Sequence, residues 1–414
     1  MGYSNFKNRY FTVLIASVLL SINSLQAQTN VSGNITTNTT WTKAASPYNL
    51  TSNVIVDNGA TLTIEPGAVV EAKGHVYLSI LGKIIAVGTE TDSIYFKGNG
   101  VKGFWTGIKI RNTGGSVLNT DYSYASGSKF SYVSVKDADN AIYQFNCSLF
   151  VTNSCFNNNT IGIQHRSSSR TLIINSKFFN NNYGGFVMSI NEYLAQRTDN
   201  PLDVASNISD LKYDKCDFYN NIKGVVLDYQ NAGIFDGFTI SNSNFKYNST
   251  GIKTGDEALV MFQNSSFINN KFISNTTGFN FMRFGGGSNN LVSSNLFYNN
   301  EVAFDFNWSY QAIALRNNIF YKNNDATKIS QAVNILRNYY LDNKSAISIT
   351  SGDPNYSLSI VNSFFSNRNR NSTNPFIKFD YLNISKSYTI QSNNFFNITP
   401  PNCKSNCFNR GYFI

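Results

Sequence analysis

Eight residues carry the side chains with which this chain could do chemistry on a glycan: Arg166, Asp228, Tyr229, Lys253, Asp256, Arg283, Asp305 and Trp308. Lys253 and Arg283 carry the basic groups of the set, the residue types that give or take a proton beside an anion. Asp228 and Asp256 are the candidates for holding a cation, and Tyr229 and Trp308 offer flat rings that can stack on sugar rings. Arg166 and Asp305 complete a polar set suited to an acidic polymer. None of this chemistry is possible unless elements far apart in the chain are set side by side.

The elements that do so are repeats. Phe156, Phe178, Phe218, Phe245, Phe272, Phe297, Phe320 and Tyr340 are each followed three residues later by Asn159, Asn181, Asn221, Asn248, Asn275, Asn300, Asn323 and Asn343. A further three residues on stand Gly162, Gly184, Gly224, Gly251, Gly278, Ala303, Ala326 and Ala346. The aromatic anchors are 22, 40, 27, 27, 25, 23 and 20 residues apart. Segments such as NVIVDN, TLTIEPG, TLIINSKFF and LSIVNSFF alternate apolar with polar residues, the period of strands with one buried face. A period of this length with no helical spacing predicts a solenoid of β coils.

Stacking explains the columns. A coil cannot bury its apolar face alone, so coils pile up about 4.8 Å apart with like residue above like. Phe is expected to stack on Phe inside, and Asn on Asn at a turn, where the amide satisfies backbone groups. The small residue is expected to allow a tight bend or a positive φ. One register stays open, because Phe267 could replace Phe272 as anchor. On the strand after each small residue, positions one and three point in, as in Val225 and Leu227 or Phe279 and Phe281. The eight candidates above fall at the alternate positions or just beyond, which sets Lys253 and Arg283 on neighbouring coils with Asp228, Asp256 and Asp305 around them.

The stretch from Trp41 to Asn99, with Thr61-Leu62-Thr63-Ile64-Glu65-Pro66-Gly67 at its centre and Trp105-Thr106-Gly107-Ile108 after it, resembles the opening coils of right-handed parallel β-helix proteins, the fold of pectate lyases. The likeness covers nearly all of residues 40 to 399. It implies an all-β, right-handed parallel β-helix of roughly a dozen coils. It implies little about activity, because this fold hosts lyases, hydrolases, epimerases, adhesins and spacers. The hydrolases of this fold carry an Asn-Thr-Asp, an Asp-Asp, a Gly-His-Gly and an Arg-Ile-Lys segment. Here only Asn119-Thr120-Asp121 is present, which excludes pectin hydrolysis. The lyases use a Lys or Arg base with a cation on the uronate carboxylate, which gives Lys253 and Arg283 their roles and makes calcium the one cofactor to expect, and only for a lyase.

Residues 1–27 read as a secretory signal peptide, with Lys7 and Arg9 before the apolar run from Phe11 to Ile22 and a cleavage site after Ala27. Residues 28–130 read as an N-terminal cap and first coils, 131–399 as the repeats, and 400–414 as a C-terminal tail. The long gap between Phe178 and Phe218 predicts an inserted loop near 189–212, and NRNRNSTNP after Phe365 a smaller one. A net charge of +9 with only 14% charged residues and no basic run fits an anionic polysaccharide and excludes nucleic acid. Cys147, Cys155, Cys216, Cys403 and Cys407 are too scattered for a disulfide framework, and their pairing stays open. His75 and His165 are expected at surface or turn positions, and neither serves a zinc site. These features predict a secreted, monomeric protein without a transmembrane segment that binds or adheres to polysaccharide. A uronate lyase or epimerase and a ligand-free structural protein are the alternatives.

Overall fold

A computed structural model of the chain describes residues 28–190, 208–230, 233–255, 260–286, 289–309, 313–330, 333–350, 358–367, 376–379, 388–397 and 412–413. These residues form a right-handed parallel β-helix, and the one helical element among them is the three-residue turn Asn112–Gly114. The signal segment, the core of the expected loop (191–207), most of the smaller insertion and nearly all of the tail lie outside the described residues.

Each coil runs through three faces. In one repeat, Thr239–Ser241 lies in the first face, Asn244–Lys246 in the second and Thr250–Thr254 in the third. Like strands pair in parallel down the axis: Thr239 opposite Ser266, Asn244 opposite Lys271, Thr250 opposite Thr277. Fourteen strands stack in the first face, and the strands of the other two are continuous with one another. Most inward residues are apolar, and Ile240, Phe245 and Ile252 of this coil are fully buried. The stack begins with Thr29–Ile35, paired in parallel with Tyr48–Val56, and Trp41 packs face to face on Tyr48 with ring centroids 4.8 Å apart.

The aromatic column is as expected. Phe156, Phe178, Phe218, Phe245, Phe272, Phe297, Phe320, Tyr340, Phe365 and Phe395 stack with centroid spacings between 4.7 and 5.0 Å. Phe272 is the anchor, paired with Phe245 and Phe297, whereas Phe267 belongs to the first face opposite Ile240 and Val292. The Asn column lies at the turn between the second and third faces and is buried throughout. Asn181 is typical. Its Oδ1 accepts the backbone N–H of Asn159 at 2.8 Å, and its Nδ2 donates to the Phe156 carbonyl at 3.0 Å and to Asn221 Oδ1 at 3.2 Å. From Asn181 to Asn323 each amide thus ties together three successive coils.

A second polar column stands at the turn between the first and second faces, five residues earlier: Ser154, Ser176, Cys216 and Ser243, then Asn270, Asn295, Asn318 and Asn338, then Ser363. Asn295 Oδ1 accepts the Asn270 N–H at 2.9 Å, and its Nδ2 donates to the Phe267 carbonyl at 2.9 Å. The signal was present as pairs of Asn five residues apart, hidden where Ser or Cys takes the place of Asn.

The small-residue column has a different cause from the one expected. Positive φ belongs to the residue just before each Asn, such as Asn158, Asn180, Asn220, Tyr247 and Asp342. Gly162, Gly184, Gly224, Gly251 and Gly278 are needed for close approach: a Cβ on Gly251 would lie 2.4 Å from the Gly278 carbonyl oxygen and 3.0 Å from the Phe272 ring.

Within residues 28–130, Ser116–Leu118 and Tyr124–Gly127 leave the stack as an antiparallel hairpin that no repeat signals. One further expectation changes. His165 is not at the surface but inside the solenoid, where its Nδ1 meets Gln144 Oε1 and its Nε2 lies 2.6 Å from the Tyr213 hydroxyl. Gln144 Nε2 in turn donates to Thr171 Oγ1 at 2.8 Å. Complete burial lowers the His165 pKa to about 3, so the ring is neutral. His75 is exposed as expected, 2.9 Å from an Asp139 carboxylate oxygen. Cys147, Cys155 and Cys216 are free thiols, and burial raises the pKa of Cys216 to about 12.

Candidate functional site

The long strands of the third face position the candidate residues, because alternation sends every second side chain outward and parallel stacking lines these up along the axis. Two outward rows result. One runs Lys109, Tyr143, Gln164, Phe186, Val226, Lys253, Asn280, Asp305, Lys328 and Ser348. The other runs Arg111, Phe145, Arg166, Met188 and Asp228.

The candidates therefore do not form one cluster. Arg166 and Asp228 share the second row, two coils apart, while Lys253 and Asp305 share the first. Arg283 is on the strand beside Lys253, but the partner of Lys253 is Asn280. Arg283 stands three residues further on, which is about 10 Å along a strand. The expected base and acid are thus on adjacent coils but not opposite one another. The strand positions of Tyr229, Arg283 and Trp308 are described but their side chains are not, and Asp256 lies outside the described residues.

The rows also differ in access. Phe145 and Val226, at outward positions, are 1% and 0% exposed, and Asp228 is 7% exposed. Arg166 Nη1 donates to the Tyr143 hydroxyl at 3.3 Å, and the Arg111 guanidinium lies 5.7 Å from the centre of the same ring. This stretch is a packed polar–aromatic layer rather than an open groove. Lys253, Asn280, Asp305 and Lys328, by contrast, are all partly accessible. Burial raises the Asp305 pKa, with Lys328 opposing the rise and Asp325 adding to it. Asn280 Oδ1, between Lys253 and Asp305, is buried without a hydrogen-bond partner among the described residues. Such an acceptor is costly to leave unmet and is satisfied by an incoming hydroxyl or amine.

The test for a cation is negative so far as the described residues reach. No group of three His, Cys, Asp or Glu gathers among them. Asp228 is paired in register with Met188, not with another acid. No step through calcium is derived.

The sequence reading missed one polar cluster. The hairpin folds onto the first face, with the Tyr124 ring 5.5 Å from Phe150 and Lys129 Nζ 4.8 Å above Tyr124. At its tip Tyr122 sits 6.0 Å from the Arg170 guanidinium and 5.8 Å from Lys212 Nζ. Burial, and then Asp210, raise the Tyr122 pKa, so the phenol is protonated at neutral pH. Asn119-Thr120-Asp121 is part of the same turn. Asp121 Oδ1 accepts the Ser123 N–H at 2.9 Å and the Ser123 hydroxyl at 2.6 Å, a structural duty unrelated to catalysis.

Comparison with known proteins agrees with the architecture. Residues 33–143 match the family described as pectate-lyase like beta helix domain. The chain has the pectate-lyase-like β-helix fold. The match takes in the stretch around Thr61–Gly67 that carried the resemblance and ends before the Asn columns begin. No curated protein matches. Among solved structures, the A-module of the mannuronan C-5 epimerase AlgE4 from Azotobacter vinelandii is 12% identical, with 92% of each chain covered and a TM-score of 0.37. PfbA, a surface adhesin of Streptococcus pneumoniae, is 12% identical over 81% of this chain and 85% of its own, with a TM-score of 0.38. The catalytic domain of a GH87 alpha-1,3-glucanase is 9% identical over 89% of this chain and 65% of its own, with a TM-score of 0.36. Likenesses this distant concern the coil and say nothing of the chemistry here. Among the described residues no helix is long and apolar enough to cross a membrane.

Proposed function

We propose that this protein is exported and binds an anionic polysaccharide along the third face of its β-helix, as a monomer and without turnover. The observation that carries the reading is the accessible row Lys253, Asn280, Asp305 and Lys328, which presents one polar side chain per coil and holds an unsatisfied acceptor at Asn280. A row repeating about every 4.8 Å suits a ligand that itself repeats along the axis. Two ammonium groups favour a polymer bearing carboxylates or sulfates, and Asn280 Oδ1 accepts a sugar hydroxyl. Tyr229, Asp256, Arg283 and Trp308 are further contacts for the polymer in this proposal, whereas Asp228 and Arg166 belong to the packed second row. The lyase or epimerase reading is weaker, because Lys253 and Arg283 are offset along their strands.

Retention on immobilised polysaccharides tests the proposal, run beside an assay for unsaturated uronate ends with calcium present. The expected result is retention on an acidic polymer with no absorbance rise, and a loss of about tenfold or more in affinity for a Lys253→Gln/Lys328→Gln variant. An absorbance rise that disappears in Lys253→Ala would establish a lyase instead. Absence of both retention and turnover would leave a scaffold.

A further inference from the structure

A groove of about 460 Å³ opens on the second face, between the strands Val69–Ala72, Ile94–Lys97, Val133–Lys136 and Cys155–Asn157. Its size is that of small-ligand pockets, roughly 300–1,000 Å³. It lies on a different face from the row described above and among earlier coils, so it stands whether or not that row binds a polymer.

Three features converge there. The first is charge. Glu71 Oε2 is 2.6 Å from Lys73 Nζ and its Oε1 is 2.8 Å from Lys97 Nζ, and hydrogen bonds from these two lysines lower the Glu71 pKa. That carboxylate is committed. Lys136, one coil beyond Lys97, has no acidic partner among the described residues. Three ammonium groups thus face one carboxylate. The second is an unmet acceptor. Asn157, the strand partner of Lys136, holds a buried Oδ1 with no hydrogen-bond partner among the described residues. The third is a flat wall: Tyr95, between Val69 and Ser134 on neighbouring strands, is 44% exposed.

An excess cation, a hydroxyl-seeking acceptor and an exposed ring within one pocket complement an acidic sugar: an anionic group, a ring hydroxyl and an apolar ring face. We infer that this groove binds one or two units of an acidic saccharide, with the carboxylate or sulfate on Lys136, a hydroxyl on Asn157 Oδ1 and a sugar ring against Tyr95. A neutral sugar would leave the Lys136 charge unanswered, and a bare anion would use neither Asn157 nor Tyr95.

Calorimetric titration of the mature protein with digalacturonate, a sulfated disaccharide and neutral cellobiose tests this. Binding of an acidic disaccharide in preference to cellobiose is expected, weakening as salt rises. Lys136→Gln should lower that affinity about tenfold, and Tyr95→Ala should lower it as well. The titrations are run in a Lys253→Gln/Lys328→Gln background, so that the third-face row adds no heat of its own and the effects of Lys136→Gln and Tyr95→Ala report this groove alone. Comparison of digalacturonate with the sulfated sugar shows which anion is preferred. Equal binding of cellobiose, no heat with either acidic sugar, or full affinity in folded Lys136→Gln and Tyr95→Ala would each refute the inference.

Discussion

His165 shows how far a single residue's setting can depart from its type. Its ring is held between Gln144 and Tyr213 inside the solenoid, and full burial lowers its pKa to about 3. In the unfolded chain the same ring titrates near 6.5, so below that pH the unfolded state binds a proton that the folded state refuses. The stability contributed by neutral His165 is therefore complete above about pH 6.5 and is lost as pH falls from there toward 3. Urea unfolding at a series of pH values should show that decline, with a slope approaching roughly 1.4 kcal/mol per pH unit from this group. His165→Gln, which takes up no proton, should be less stable at pH 7.5 and should show a shallower decline. An equal slope in both proteins would place the acid sensitivity elsewhere. The alternation after Gly162 already puts His165, the third residue on, at an inward position; what sequence did not show is that Gln144 and Tyr213 stand on neighbouring coils to satisfy both ring nitrogens.

At the scale of the element, the turns do most to specify the coil. Each of the two sharp corners pairs a residue of positive φ with a buried Asn or Ser whose side chain bonds the next coil. The Asn159–Asn343 column was legible because its ladder keeps Asn in every coil, and the Phe column because stacked rings must keep their spacing; the second column was not, because Ser and Cys stand in for Asn over half its length. The glycine column was legible in position but not in cause. Sequence suggests freedom of φ at glycine, whereas at Gly251 the strand of the next coil and the Phe272 ring leave no room for a methyl group. Gly251→Ala is expected to cost about 1–3 kcal/mol through overpacking, read as a lower urea midpoint with unchanged slope. Ala303→Gly, at the equivalent position where a methyl is already accommodated, should cost only about 0.5–1 kcal/mol. If Gly251→Ala proved neutral, the close approach would not be what selects glycine there.

For the whole molecule, stability is a sum over coils and the contacts between them, because each coil touches little beyond its neighbours. Phe218, Phe245 and Phe272 are spaced by equal steps of 27 residues. Removing residues 245–271 therefore returns every column to register, with Phe272 stacking on Phe218 in place of Phe245. This deletion should retain a single cooperative unfolding transition and parallel-β circular dichroism. Deleting only residues 245–258 sets second-face positions against third-face ones and should abolish the transition or yield aggregates. Similar behaviour of the two deletions would contradict a stack organised by register. The same one-dimensional order separates the two binding proposals, since the Lys136 groove and the Lys253 row occupy different faces and different coils.

Sequence alone determined the coil and its aromatic, first Asn and small-residue columns, because these recur with a period that any one repeat helps to read. It also named Lys253 and Asp305 on the third face, but not Asn280 or Lys328 between and beyond them. Only the tertiary structure decided which of them meet. Register set Lys253 beside Asn280 rather than Arg283, placed Arg166 and Asp228 in a separate row, and brought Gln144 and Tyr213 against the His165 ring. It also gathered Lys97, Lys136, Asn157 and Tyr95 into a pocket, although no repeat marks them. The physical reason is that a column is enforced coil after coil by the same packing. A site is assembled once, from positions whose proximity depends on a register that a shift of one residue would undo.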